Sequence, residues 1–148
     1  MIVAGIGCGR GTSSEDIVSL ISVALANFGI APENLAAIAT ETSKADEHGI
    51  AGAARSLSIP VLRCPVADLG RVADQVLTHS LRVWEIKGVP SIAEASALVA
   101  AGPNARLLGA RLAANRVTCA IAIGEGGAIG ESAIGQGAMG QGAMGEES

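Results

Sequence analysis

Aromatic side chains are almost missing. The 148 residues hold one Phe (Phe28), one Trp (Trp84) and no Tyr. A core without rings must be assembled from Ala, Val, Ile and Leu, and a surface that stacks single-stranded bases has no platform. Basic runs are missing as well. A formal net charge of -4 and a pI of about 5.1 leave no positive footprint for nucleic acid or an anionic membrane. A few local donors can still hold a small anion against that net charge. No apolar run approaches the roughly 20 residues of a membrane span. Met1 leads straight into Ile2-Val3-Ala4-Gly5, without the basic start of a secretory leader. Cysteine is scarce: Cys8, Cys64 and Cys119 show no CxxC spacing, so reduced thiols in a cytoplasmic protein are expected. His48 and His79 have no partners at metal-ligand spacing, and neither a metal nor a cofactor is expected.

What is present is 49% hydrophobic residues, enough for one domain with a real core in a chain of this length. Ile2 to Ile6 reads as a buried strand. Thr12 and Glu15 form a capping box for a helix whose apolar face carries Ile17, Leu20, Ile21, Ala24, Leu25 and Phe28, with Gly29 as its stop. Leu35 to Thr40 reads as a second strand. A helix from about Lys44 to Leu57 follows, with Ser43 and Asp46 as a weaker capping pair. Pro60 to Cys64 reads as a third strand. Val66 to about Leu77 reads as mostly helical, weakened by Gly70. Leu81 to Ile86 has no clear period, and Gly88-Val89-Pro90-Ser91 reads as a turn. Ser91 and Glu94 make a second capping box for a helix that ends at Gly102-Pro103. Arg106 to Leu112 and Arg116 to Ile123 read as a hairpin joined near Asn115.

Strands alternating with helices predict a single α/β domain over residues 1–123, a three-layer α/β/α sandwich with a mixed, mostly parallel sheet. Nine of the 20 glycines fall in the last 25 residues, where Ala-Ile-Gly-Gln-Gly, Ala-Met-Gly-Gln-Gly and Ala-Met-Gly-Glu follow one another. So much glycine with so little to bury predicts that 124–148 is a disordered tail, either a dispensable extension or a partner-binding one.

Three stretches could carry chemistry. Gly5-Ile6-Gly7-Cys8-Gly9-Arg10-Gly11-Thr12 joins the first strand to the first helix. Glycines let backbone N–H groups approach a ligand, the helix N-terminus favours an anion, and Arg10 could grip a carboxylate or phosphate. A plain strand-to-helix turn is the alternative. A dinucleotide fingerprint fails, because Arg10 and Thr12 stand where its last glycine would be. A phosphate-binding P-loop fails for want of Gly-Lys-Ser/Thr. Cys8 is either a nucleophile favoured by the helix N-terminus and Arg10, or a small buried residue. In the second stretch, Lys44-Ala45-Asp46-Glu47-His48-Gly49, Lys44 is electrostatically misplaced at a helix start and so is a candidate ligand contact. In the third, Gly88 to Ala95, the helix start marked by Ser91 and Glu94 could offer another carboxylate site, although capping explains both residues.

These stretches resemble one family. Gly5-Ile6-Gly7-Cys8 with Gly11-Thr12-Ser13, Lys44-Ala45-Asp46-Glu47 with Gly49, Gly88 to Ala95, and Thr118 with Ala120-Ile121-Ala122 look like the ordered motifs of the CobE/CbiG C-terminal domain family of cobalamin (vitamin B12) biosynthesis, across residues 1 to 123. The resemblance implies a part in building the corrin ring. CbiG proteins are associated with opening a lactone on a cobalt-precorrin and releasing acetaldehyde, and carry N-terminal domains without counterpart in this sequence, so that activity is not carried over. Stand-alone relatives of the aerobic branch suggest a corrinoid or precorrin carrier or chaperone, working with other cobalamin-pathway enzymes. The alternatives are a precorrin hydrolase-type enzyme, with Cys8, Lys44 or Glu47 as reacting groups, and a docking subunit. The expected ligand-binding set is Gly7, Cys8, Arg10, Gly11, Thr12, Lys44, Ser91 and Glu94; the catalytic candidates that go with it are Cys8 and Glu47. One departure concerns the loop: the family often has a basic residue after the cysteine, and Gly9 stands there.

Overall fold

A computed structural model describes residues 1–78 and 91–127. The expectations for His79, Trp84, Leu81 to Ile86, the Gly88-Val89-Pro90 turn and 128–148 lie outside the described residues. Six strands form one sheet: β1 (Ile2–Cys8), β2 (Leu35–Glu41), β3 (Val61–Cys64), β4 (Arg106–Leu107), β5 (Leu112–Ala114) and β6 (Val117–Ile123). The order is β3-β2-β1-β6-β4, with β5 also on β6. β1, β2 and β3 pair in parallel, while β6 pairs antiparallel with β1, β4 and β5, so β6 alone runs against the rest. This is the mixed, mostly parallel sandwich the alternation of elements predicts.

Among the described residues four helices cover it: α1 (Ser14–Asn27), α2 (His48–Leu57), α3 (Val66–Arg71) and α4 (Ile92–Ala101). Side chains alternate across a strand, and the two resulting faces differ. Ala4, Ile6, Ile38, Val117, Cys119 and Ile121 face α1 and α2, where Ile17, Leu20, Ile21, Leu25 and Ile50 meet them. Val3, Ala37, Ala39, Ala120 and Ala122 face α4 and its run of alanines. A Cβ on Gly5 would lie 2.0 Å from the Ala93 carbonyl oxygen, so α4 rests directly on the β1 backbone.

The local chemistry corrects several element ends. The α1 cap is Ser13, whose Oγ accepts from the Asp16 N–H at 3.1 Å. Thr12, expected in that role, donates its Oγ1–H to the Gly9 carbonyl at 2.7 Å instead. Gly29 closes the helix with φ 68°, as expected. The second helix starts at His48 rather than Lys44, because Thr42–Lys44 forms a separate 3-10 turn capped by Glu41, whose carboxylate accepts from the Ser43 N–H at 2.7 Å and from its hydroxyl. Ser43 and Asp46 therefore do not cap it. Asp46 pairs with Arg63 at 2.8 Å, which holds its carboxyl below the usual range. The helix after β3 stops at Arg71, followed by a 3-10 turn at Ala73–Gln75. The Leu77 and Thr78 N–H groups, which a longer helix would use, go to Glu94. The hairpin is present, but the arm expected over Arg106 to Leu112 is split into Arg106–Leu107 and Leu112–Ala114, and Ala114 lies opposite Val117 across a two-residue turn whose Asn115 and Arg116 both have positive φ, 52° and 68°. Residues 124–126 are held to the domain: the Gly124, Glu125 and Gly126 N–H groups donate to Met1, Pro103 and Ala101 carbonyls.

Candidate functional site at the strand carboxyl ends

Parallel strands β1 and β2 end side by side, and open α/β sheets bind ligands at such ends. β6 runs the other way, so its first residue, Val117, pairs with Cys8, the last of β1. The Asn115-Arg116 turn therefore arrives at the same edge as the Gly9–Thr12 loop. The Gly9 N–H donates to the Arg116 carbonyl at 3.1 Å. A Cβ on Gly9 would lie 2.4 Å from an Arg116 guanidinium nitrogen and 2.9 Å from its central carbon, so that guanidinium covers Gly9. The start of α4 comes in beside Gly7, where an added Cβ would meet Ile92 at 3.8 Å. On the other flank the first turn of α2 packs on the loop, since a Cβ on Gly49 would fall 2.1 Å from the Thr12 carbonyl oxygen.

The loop's own amides are largely spent. The Gly9 N–H is taken by Arg116, the Thr12 N–H by the Gly9 carbonyl at 3.3 Å, and the Gly11 N–H by the Glu47 carboxylate at 3.2 Å. Gly7 lies within the β1–β6 ladder, and its carbonyl also accepts from Thr118 Oγ1 at 3.3 Å. Gly11 needs its glycine for a φ of 77°. Gly7, Gly11 and Thr12 thus shape the loop, and the groups left pointing outward are side chains. Arg10 is exposed at the loop, Lys44 is half-buried at the 3-10 turn, and Arg116 is exposed on the hairpin. Among the described residues the ion pairs are Arg63–Asp46 and Arg71–Asp68, so none of these three cations is matched by a carboxylate.

Cys8 is half-buried, within electrostatic reach of Lys44, Glu47 and Arg116. Burial pushes its thiol above the ordinary value; the Lys44 charge opposes this, Glu47 reinforces it, and Arg116 opposes it. The net direction is up, so the residue rests as a thiol, and the activation expected from Arg10 is not among the influences on it. Glu47, the other catalytic candidate, spends one carboxylate oxygen on Gly11.

Ser91 and Glu94 have internal work. Ser91 Oγ accepts from the Glu94 N–H, giving half of the expected box. The Glu94 carboxylate, fully buried, accepts from the Leu77 N–H at 2.8 Å, the Thr78 N–H at 2.7 Å, the Thr78 hydroxyl at 2.9 Å and the Arg111 N–H at 2.8 Å. Four donors on a sealed carboxylate make Glu94 a structural clamp, and Ser91 caps the helix that carries it. Arg116 was missed in the sequence, where its one signal was its place beside Asn115 at a hairpin turn. Among the described residues no group of three His, Cys, Asp or Glu could hold a metal ion, and no helix is long and apolar enough to cross a membrane.

Sheet order and layers define a small α/β/α-sandwich domain with basic side chains near the carboxyl ends of β1 and β2. Residues 2–122 match the family described as Cobalamin synthesis G C-terminus, and the chain belongs to that family of cobalamin-biosynthesis proteins. It is 33% identical over 121 residues to Protein CobE of Sinorhizobium sp, covering 82% of this chain and 79% of the relative. Among solved structures it is similar to CobE, a protein from the cobalamin (vitamin B12) biosynthetic pathway, with a TM-score of 0.78, 35% identity and coverage of 82% and 89%. It is also similar to cobalamin biosynthesis protein chiG from Agrobacterium tumefaciens, with a TM-score of 0.64, 38% identity and coverage of 84% and 99%. A cobalamin biosynthesis protein G homolog from Sulfolobus solfataricus shares the fold at 22% identity and a TM-score of 0.62, over 84% of this chain and 37% of that one.

Proposed function

We propose that the chain binds a carboxylate-edged corrinoid intermediate of cobalamin synthesis at the carboxyl ends of β1 and β2, and acts as a cytoplasmic carrier or chaperone that passes it between pathway enzymes. The observation that carries this reading is that Lys44 and Arg116, beside the half-buried Cys8, and Arg10, exposed on the adjoining loop, form no ion pair among the described residues, in a chain whose net charge is -4. A corrinoid intermediate is a broad ring edged with acetate and propionate groups. Arg10 and Lys44, from two different loops, can take two such groups while the loop glycines keep the backbone low. The raised Cys8 thiol weighs against the hydrolase-type alternative, because a nucleophilic cysteine needs its thiolate.

The test is a visible-absorption titration with metal-free hydrogenobyrinic acid, checked by co-elution on a sizing column. Saturable one-to-one binding is expected, and replacing Arg10 and Lys44 together with Ala should weaken it at least tenfold or so, the worth of one lost charge-assisted contact. Equal affinity in the double variant would remove those two residues from the site. A new product spectrum would move the protein to the enzymes, and no binding at all would leave a docking subunit.

A further inference from the structure

Arg116 occupies a place that chemistry does not favour for it. Two-residue hairpin turns of this kind need positive φ at both central positions, which makes Asn-Gly the preferred pair. Here Asn115 is in keeping, but Arg116 takes the second position with φ 68°. A long side chain in the left-handed region is an uncommon and mildly strained arrangement. The turn itself gains nothing from it. The side chain is exposed and forms no ion pair among the described residues, yet it has a defined seat. Its guanidinium lies on the one loop position, Gly9, where any side chain would displace it. That seat is next to Cys8, at the junction of β1 and β6.

We propose that Arg116 is an anchoring residue for the ligand, its guanidinium lying on Gly9 so as to present a planar fork to one carboxylate of a polycarboxylate ligand bound at the strand ends. The inference rests on the corrinoid-binding reading and adds to it a third cation, delivered from the hairpin and dependent on a glycine in another loop. Arg suits the task better than Lys, because the fork matches a carboxylate with two parallel hydrogen bonds.

The decisive variant is Arg116→Gly, which removes the anchor and at the same time gives the turn its preferred residue. With metal-free hydrogenobyrinic acid as the probe, its affinity should fall roughly tenfold, while its melting temperature stays level or rises by about 3 °C. Gly9→Ala keeps the charge but unseats it, and should weaken binding in the same direction. Undiminished affinity in Arg116→Gly, with the unaltered protein binding normally, would overturn the assignment and leave the corrinoid reading standing. So would a melting temperature several degrees lower, which would mark Arg116 as a structural residue. Failure of the unaltered protein to bind the probe would remove both.

Discussion

The two faces of the sheet are built on opposite plans. Against α1 and α2 the strands present Ile6, Ile38, Val117 and Ile121, and the helices answer with Ile, Leu and Ala. Against α4 the strands present Gly5, Ala37, Ala39, Ala120 and Ala122, and the helix answers with Ala93, Ala97, Ala100 and Ala101. Large side chains remove more apolar area from water, so the first face supplies most of the hydrophobic stabilisation. Small ones let backbone approach backbone, so the second face supplies position. It also buries a carboxylate: Glu94 and Ser96 are fully buried on α4, with the Ser96 hydroxyl donating to the Ile92 carbonyl at 2.6 Å, whereas the strand hydroxyl buried toward α1 and α2 is that of Thr40, which donates to the Ile6 carbonyl at 2.8 Å. Eight of the ten α4 residues are buried, against five of fourteen on α1. α1 is an amphipathic cover, whereas α4 is a central strut whose start is placed against Gly7, beneath the cationic edge.

If that contrast is right, one added methyl should hurt the tight face more than one deleted methyl hurts the loose one. Gly5→Ala drives a Cβ to within 2.0 Å of the Ala93 carbonyl oxygen, which is backbone and cannot swing away. A loss of about 3 kcal/mol or more in denaturant-unfolding stability is expected, at the upper end of overpacking. Ile121→Val on the opposite face should lose about 1 kcal/mol. Equal losses would mean that α4 floats as freely as α1.

Glu94 tests the polar side of the same comparison. Its carboxylate accepts four hydrogen bonds from two chain segments, so Glu94→Gln replaces an acceptor oxygen with an amide that itself donates. At least one buried N–H or O–H is then left unmatched, and a loss of about 2 kcal/mol is expected. Amide exchange at Leu77, Thr78 and Arg111 should quicken together. If only the global stability fell and those three amides stayed protected, the clamp would be elsewhere.

These two positions also show what sequence could and could not reveal. Element identity was largely legible, because Ile17, Leu20, Ile21, Ala24 and Leu25 recur at helical spacing and all are buried. Helix starts were less so. Thr12 and Ser13 are both good caps, and the choice between them is made by the Gly9 carbonyl, a tertiary partner within the loop. Glu94 read as a capping residue because its nearest neighbours explained it; its real partners lie 16 and 17 positions away. At the site, Arg10 stood out in its glycine loop, whereas Lys44 stood out as misplaced at a helix start that lies instead at His48, Lys44 closing the 3-10 turn before it. Arg116 did not, because its meaning depends on β6 running antiparallel to β1 and setting the hairpin against Gly9, which no local pattern encodes.

The two faces each hold one buried cysteine, and these sharpen the comparison in a way that does not depend on packing volume. Cys64 lies on the α4 face and Cys119 on the opposite one, and burial pushes both thiols from an ordinary value of 9.0 to about 12. A folded-state value above the unfolded one means that the unfolded chain releases its protons first as pH rises. Stability contributed by the neutral thiols is therefore complete below about pH 9 and declines from there toward pH 12. Between pH 8 and 9.5 each thiol should account for about 1 kcal/mol of lost stability. Comparing the pH slope of the intact chain with those of Cys64→Ala and Cys119→Ala separates the two. Equal contributions would show that the small-residue face excludes water as well as the large-residue face does. A flat response from Cys64 alone would mean that the alanine face is close-packed but wet, and that Gly5 and its neighbours position α4 without sealing it.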